Sequence, residues 1–204
     1  MSSAGRKKTG TTTPPSEFVR AVVCLGNPGT RYAGTRHNLG FRVGDRLAGG
    51  SAGRWTVASA YLHTTRQFGE HQLLLVKPTD YVNDSGRAVV MVMETFEVAP
   101  PDLMVVLDDV HLELGRLRVR RTGSDGGHNG LRSIIGSVGS TDFPRLRLGI
   151  GMPPEGEDLI DFVLGKFTPQ EEVIVDELLR TAATAVHCWV TQGMDATMNG
   201  YNSA

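Results

Sequence analysis

Two histidines stand where ordinary connecting loops need none. His37 lies in "GTRHNLG", between an apolar run and a helical pattern, and His128 lies in the glycine-rich "GSDGGHNG". Amides and acids occupy comparable places elsewhere. Asn27 follows "AVVCL", Asn83 sits in "KPTDYVNDSG", Asp108 and Asp109 close "LMVVLDD", and Asn129 follows His128. Such a set suits activation of water. Neutral imidazole is available near pH 7, because a histidine titrates at about 6.5. A carboxylate on the other ring nitrogen fixes the tautomer and stabilises imidazolium as it forms. Amides donate to a developing oxyanion without adding a titrating group. Taken singly, each residue has a plainer role: a helix-end histidine, a turn-forming asparagine, an aspartate cap. Their combination in separate loops points to a site.

Other chemistries lack their markers. There is no H-E-x-x-H spacing and no phosphate-binding loop ending in Gly-Lys-Ser/Thr. Cys24 and Cys188 both sit in apolar runs and read as reduced, buried thiols rather than a zinc site. No cofactor and no metal are expected.

The elements that must position these groups alternate. "FVRAVVCL", "QLLLVKP" and "LMVVLDD" read as strands, "RLRVR" and "PRLRLGIG" as alternating strands, and two weak strands fall between Arg54 and Phe68. Helical patterns cover "NLGFRVGDRLA", with Asn38 as its cap, then "SGRAVVMVMETFEV", "LRSIIGSV" and "TPQEEVIVDELLRTAATAVHCWVTQG". This order predicts an α/β fold: one domain, with a twisted mixed sheet flanked by helices on both faces in three α/β/α layers. Polar residues after strands would converge where those strands run the same way. Of the adjacent acids, alternation sends Asp108 and Asp109 to opposite faces without saying which meets His37.

The chain has 204 residues and a net charge of −1, so any nucleic-acid binding must come from a local patch. Residues 1–17 read as a disordered tail before a domain spanning 18–204, with no secretory signal and no apolar run long enough for a membrane. A cytoplasmic location is expected.

The motifs "LGNPGTRYAGTRHNLGF", "KPTDYVNDSG", "LDDVHLELGRLRVRRTGSDGGHNGL", "FPRLRLGIG", "DFVLGKF" and "GMDATMNGYN" resemble those of bacterial peptidyl-tRNA hydrolases. The likeness covers nearly everything from Phe18 onward and implies hydrolysis of the ester joining a peptide to tRNA in prematurely terminated translation. By that resemblance His37 is the general base, Asp108 orients it, and Asn27 distinguishes a peptidyl group from a free amino acid. Tyr32, Tyr81, Asn83 and Asn129 contact substrate or water. Arg120 and Arg147 hold phosphates near the acceptor end of peptidyl-tRNA, and the protein acts as a monomer. Alternation puts Arg116, Arg118 and Arg120 on one strand face and Arg145 with Arg147 on another. This chain departs from the family at Val82, His111 and Met152, where methionine, an acid and a basic residue are usual. The competing reading is a non-catalytic RNA-binding protein on the same scaffold.

Overall fold

The computed structural model describes residues 18–50 and 53–202; the tail assigned to residues 1–17 lies outside them. Seven strands form one mixed sheet in the order β2-β3-β4-β1-β5-β7-β6. In chain order these are β1 (Phe18–Cys24), β2 (Thr56–Val57), β3 (Tyr61–Phe68), β4 (His71–Pro78), β5 (Leu103–Asp109), β6 (Leu117–Arg120) and β7 (Arg145–Gly149). The helices are α1 (Leu39–Leu47), α2 (Ser85–Phe96), α3 (Asn129–Val138), α4 (Leu159–Leu164), α5 (Pro169–Gln192) and α6 (Met194–Tyr201).

The central strands are apolar on both faces because both are covered. Val22, Cys24, Met104 and Val106 point toward a core shared with Val43 of α1 and Leu179 and Trp189 of α5. Ala21, Val23, Leu103, Val105 and Leu107 point the other way, toward Val89 of α2 and Ile134 of α3. Three layers result, as the alternation predicts. Thr168 and Glu171 form a reciprocal capping box at the start of α5. Such a cap contributes about 1 kcal/mol, whereas each buried Val or Leu contributes about 1.5–3 kcal/mol. Packing therefore holds α5 in place, and the cap sets where it begins.

Strands β4, β1, β5 and β7 run parallel, so the segments after β1, β4 and β5 leave from one end of the sheet. Asn27, Asn83 and Asp108 belong to that end. Strand β6 runs the other way: Arg120 pairs with Arg145 at the start of β7, while Asp108 pairs with Leu148 near its end. The loop after β6 must therefore return along the sheet to bring His128 to Asp108. Two helices, α4 and α6, were not marked by periodicity. The first has only six residues behind the Asp158 cap, and the second starts directly after Gly193, which ends α5.

Candidate active site

The sheet pleat decides between the two acids. Asp108 shares the phase of Met104 and Val106, on the α1 side, while Asp109 shares that of Leu103, Val105 and Leu107. His37 sits in the 3-10 turn Arg36–Asn38 that leads into α1. Its Nδ1 lies 3.0 Å from both carboxylate oxygens of Asp108. Gly40 permits that approach: a Cβ there would fall 2.5 Å from the carbonyl oxygen of Leu25 and 2.6 Å from that of Val106. The base is close to the carboxylate because the first turn of α1 rests on bare backbone.

Electrostatics follow from this geometry. Burial disfavours imidazolium at His37, but the Asp108 charge and hydrogen bond outweigh it, and the pKa rises above 6.5. Burial likewise opposes ionisation of Asp108, yet His37 and His128 hold it well below the usual carboxylate range. With Nδ1–H donated to Asp108, the Nε2 lone pair of His37 is the basic atom. His37, Asp108, Asn129, Arg120 and Arg147 all border one cavity of about 480 Å³.

The neighbours of His37 hold the turn. Arg36 donates to both oxygens of Glu171 at 3.1 and 3.0 Å and to the Lys166 carbonyl at 2.9 Å, with its guanidinium over Phe162. Asn38, expected as a helix cap, does not cap α1 through its side chain. Instead its Oδ1 accepts the backbone N–H of Asn27 at 2.8 Å and its Nδ2 donates to the Asn27 carbonyl at 2.9 Å. The side chain is used as a strand partner would be, so no cap remains. Asn27 in turn accepts the Val82 N–H at Oδ1, 2.9 Å away. Only its Nδ2 end is left to meet a substrate, as a donor.

Asn27, Tyr32, Tyr81 and Asn83 do not line that cavity, whereas Asn129 does. Tyr32 and Tyr81 meet edge to face, with ring centroids 6.2 Å apart. Tyr81 borders a second cleft with Pro28, Asp84 and Ser133. Asn83 is exposed on the turn before α2 and lines neither cavity. Asn129 is the first residue of α3, and its Oδ1 accepts from Arg132 at 3.2 Å.

The arginines are not two independent solvated faces. Arg118 pairs with Arg147 and Arg120 with Arg145, so all four share one side of the sheet. Arg145 is buried, its guanidinium bonded to the carbonyls of Gly123, Ser124 and Thr141. It anchors the returning loop. Arg147 donates through Nε to Asp109, whose other oxygen accepts the His111 N–H at 2.9 Å. Arg120 remains exposed on the cavity wall.

His37, Asp108 and His128 also have donor atoms within 4.8 Å of one another, close enough to suggest a metal. The hydrogen bonds among these groups offer another account of the cluster. Leu131 donates its N–H to Nδ1 of His128 at 3.2 Å, so Nε2 carries the proton and faces Asp108 Oδ1 at 3.2 Å. In that tautomer Nε2 of His128 has no lone pair free for an ion.

A half-buried imidazole on a buried carboxylate at the carboxyl end of the parallel strands, with Asn129 on the same cavity, is an arrangement an α/β enzyme could use to activate water. Sequence comparison agrees with that class. The sequence model of the peptidyl-tRNA hydrolase family matches residues 21–204. The peptidyl-tRNA hydrolase of Synechococcus sp. strain JA-3-3Ab is 44% identical over 94% of this chain and 86% of its own length. That of Chloroflexus aurantiacus strain J-10-fl is 46% identical over 89% of this chain and 97% of its own. A solved peptidyl-tRNA hydrolase from Acinetobacter baumannii superposes with a TM-score of 0.82 at 32% identity, covering 92% of this chain and 96% of that one. This chain belongs to the peptidyl-tRNA hydrolase family.

Proposed function

We propose that this protein hydrolyses the ester between peptide and tRNA in peptidyl-tRNA, with His37 activating the attacking water. The observation that carries the reading is the 3.0 Å contact of His37 Nδ1 with Asp108, which leaves Nε2 as an available base beside a cavity. Water attacks the ester carbonyl as its proton passes to Nε2, and imidazolium is stabilised by Asp108. The proton then returns to the leaving ribose oxygen. An ester is activated enough that neither a metal nor a covalent intermediate is needed.

Asn27, donating through Nδ2, would bind the carbonyl of a peptidyl group. Asn129 would hold the reacting water or the oxyanion, with Asn83, Tyr32 and Tyr81 on the peptide side. Arg120 would carry more of the phosphate contact than Arg147, whose Nε is engaged by Asp109. All these groups can be supplied by one chain, so a monomer would suffice. No helix among the described residues is long and apolar enough to cross a membrane.

The test compares an N-blocked aminoacyl-tRNA with its unblocked form, using the wild type and His37→Ala. Release from the blocked ester only, lost in the variant, is the expected result. Binding without release would leave an RNA-binding protein on this scaffold. Full activity in His37→Ala would refute the mechanism.

A further inference from the structure

We propose that His128 is a positioning residue for this reaction, a second N–H donor that fixes the Asp108 carboxylate on which His37 depends. The inference rests on the reading given under Proposed function and adds a residue to it. His128 is the N-cap of α3, and a histidine caps through Nδ1 only when that nitrogen is bare. The Leu131 N–H therefore selects the tautomer with hydrogen on Nε2, and that hydrogen is directed at Asp108 Oδ1. The two imidazoles converge on one carboxylate, with ring centroids 4.9 Å apart and planes at 48°. Polarity is thereby fixed along a chain of groups: helix amide to His128, His128 to Asp108, and His37 to Asp108 from the other side of the exchange.

The loop is built to deliver this ring. Asp125 accepts the Gly127 N–H at its side chain, at 2.7 Å, and the His128 N–H at its carbonyl, at 3.0 Å. Gly127 has φ +86, a conformation that favours glycine. Arg145 holds the preceding carbonyls from beneath. Asn129 follows directly on α3, so the same cap orients a residue facing the cavity. The other charged or titratable groups around the pair are Arg120, Arg145, His111 and Asp125 on the cavity walls, with Asp109 turned onto Arg147.

Two substitutions separate capping from positioning. Asparagine at 128 places its amide where Nδ1 now lies, so it caps α3 as well or better but cannot reach Asp108. Glutamine places its amide near the present Nε2 and can donate to Asp108 while capping poorly. His128→Asn is expected to keep a Tm near wild type while kcat falls roughly tenfold with KM within about twofold, a geometric loss. The acid limb of its pH profile should move up by about half a unit, because a carboxylate with one donor fewer holds imidazolium more tightly. His128→Gln should recover most of kcat despite a weaker cap. Histidine 15N spectra read the same point without turnover, and should show a bare Nδ1 and a protonated Nε2 at His128. Wild-type kcat and acid limb in His128→Asn, or the opposite tautomer, would overturn the inference. Activity retained in His37→Ala would instead remove the underlying reading, so the two failures are distinguishable.

Discussion

At the scale of single residues, the site depends on side chains that hold other side chains. Asn38 is the clearest. It pairs with both backbone groups of Asn27, and both residues are buried. Truncation strands a buried donor and acceptor, each costing about 1–3 kcal/mol. Asn38→Ala should therefore lower stability by about 2–6 kcal/mol in chemical denaturation. Turnover of blocked aminoacyl-tRNA should fall further than stability explains, because Asn27 loses its orientation. Equal hydrolysis by wild type and variant would show that Asn27 needs no such support. The sequence pattern singles out an imidazole, adjacent acids and amides in separate loops but leaves Asp108 and Asp109 open; the family resemblance selects Asp108, and the sheet pleat places it against His37. Sequence alone misassigns Asn38, because an asparagine before a helical pattern is ordinarily a cap. The part assigned to His128 was hidden for a related reason: its tautomer is set by a backbone N–H of a helix and an acid 20 residues away.

At the scale of elements, α1 is the piece that must not move. Gly40 rests on the carbonyls of Leu25 and Val106, rigid backbone atoms that cannot swing aside. Gly40→Ala should displace α1 and cost about 1–3 kcal/mol or more, read as a Tm lowered by several degrees. Turnover should fall by more than the folded fraction does, because His37 is carried on the adjoining turn. An unchanged Tm would contradict the close approach. The parallel strands and their order of alternation with helices were legible from apolar periodicity. The reversed direction of β6 was not, because alternation marks a strand without giving its partner. The arginine pattern shows the same gap: period two placed Arg145 on a face, but only the tertiary structure buries it against three carbonyls.

At the scale of the whole molecule, a net charge of −1 offers no general attraction for RNA. On the proposed reading, affinity comes from the side of the sheet that carries Arg118, Arg120, Arg145 and Arg147, with two of these already committed inside the protein. Binding of tRNA should weaken steeply between roughly 50 and 200 mM salt. Arg120→Ala should reduce the slope of log K against log salt by about 1, similarly for tRNAs of different sequence, since phosphate contacts carry no base readout. A slope unchanged by the substitution would place the phosphate contact elsewhere. Of the positions that differ from the expected family pattern, Val82 and Met152 sit in different settings. Val82 is buried and engaged through its backbone by Asn27, whereas Met152 is exposed on the cavity wall.

The most direct test is the pH dependence of kcat/KM for blocked aminoacyl-tRNA in the wild type and in Asp108→Asn. His37 must be neutral to act, and its pKa is raised above 6.5 by Asp108 against the effect of burial. Wild-type activity should thus fall as pH drops through a midpoint above 6.5. With asparagine at 108 the charge is gone and burial remains, so the midpoint should shift below 6.5 while the plateau rate drops. Superimposable profiles, or a midpoint that rises in the variant, would contradict the pairing on which the mechanism stands.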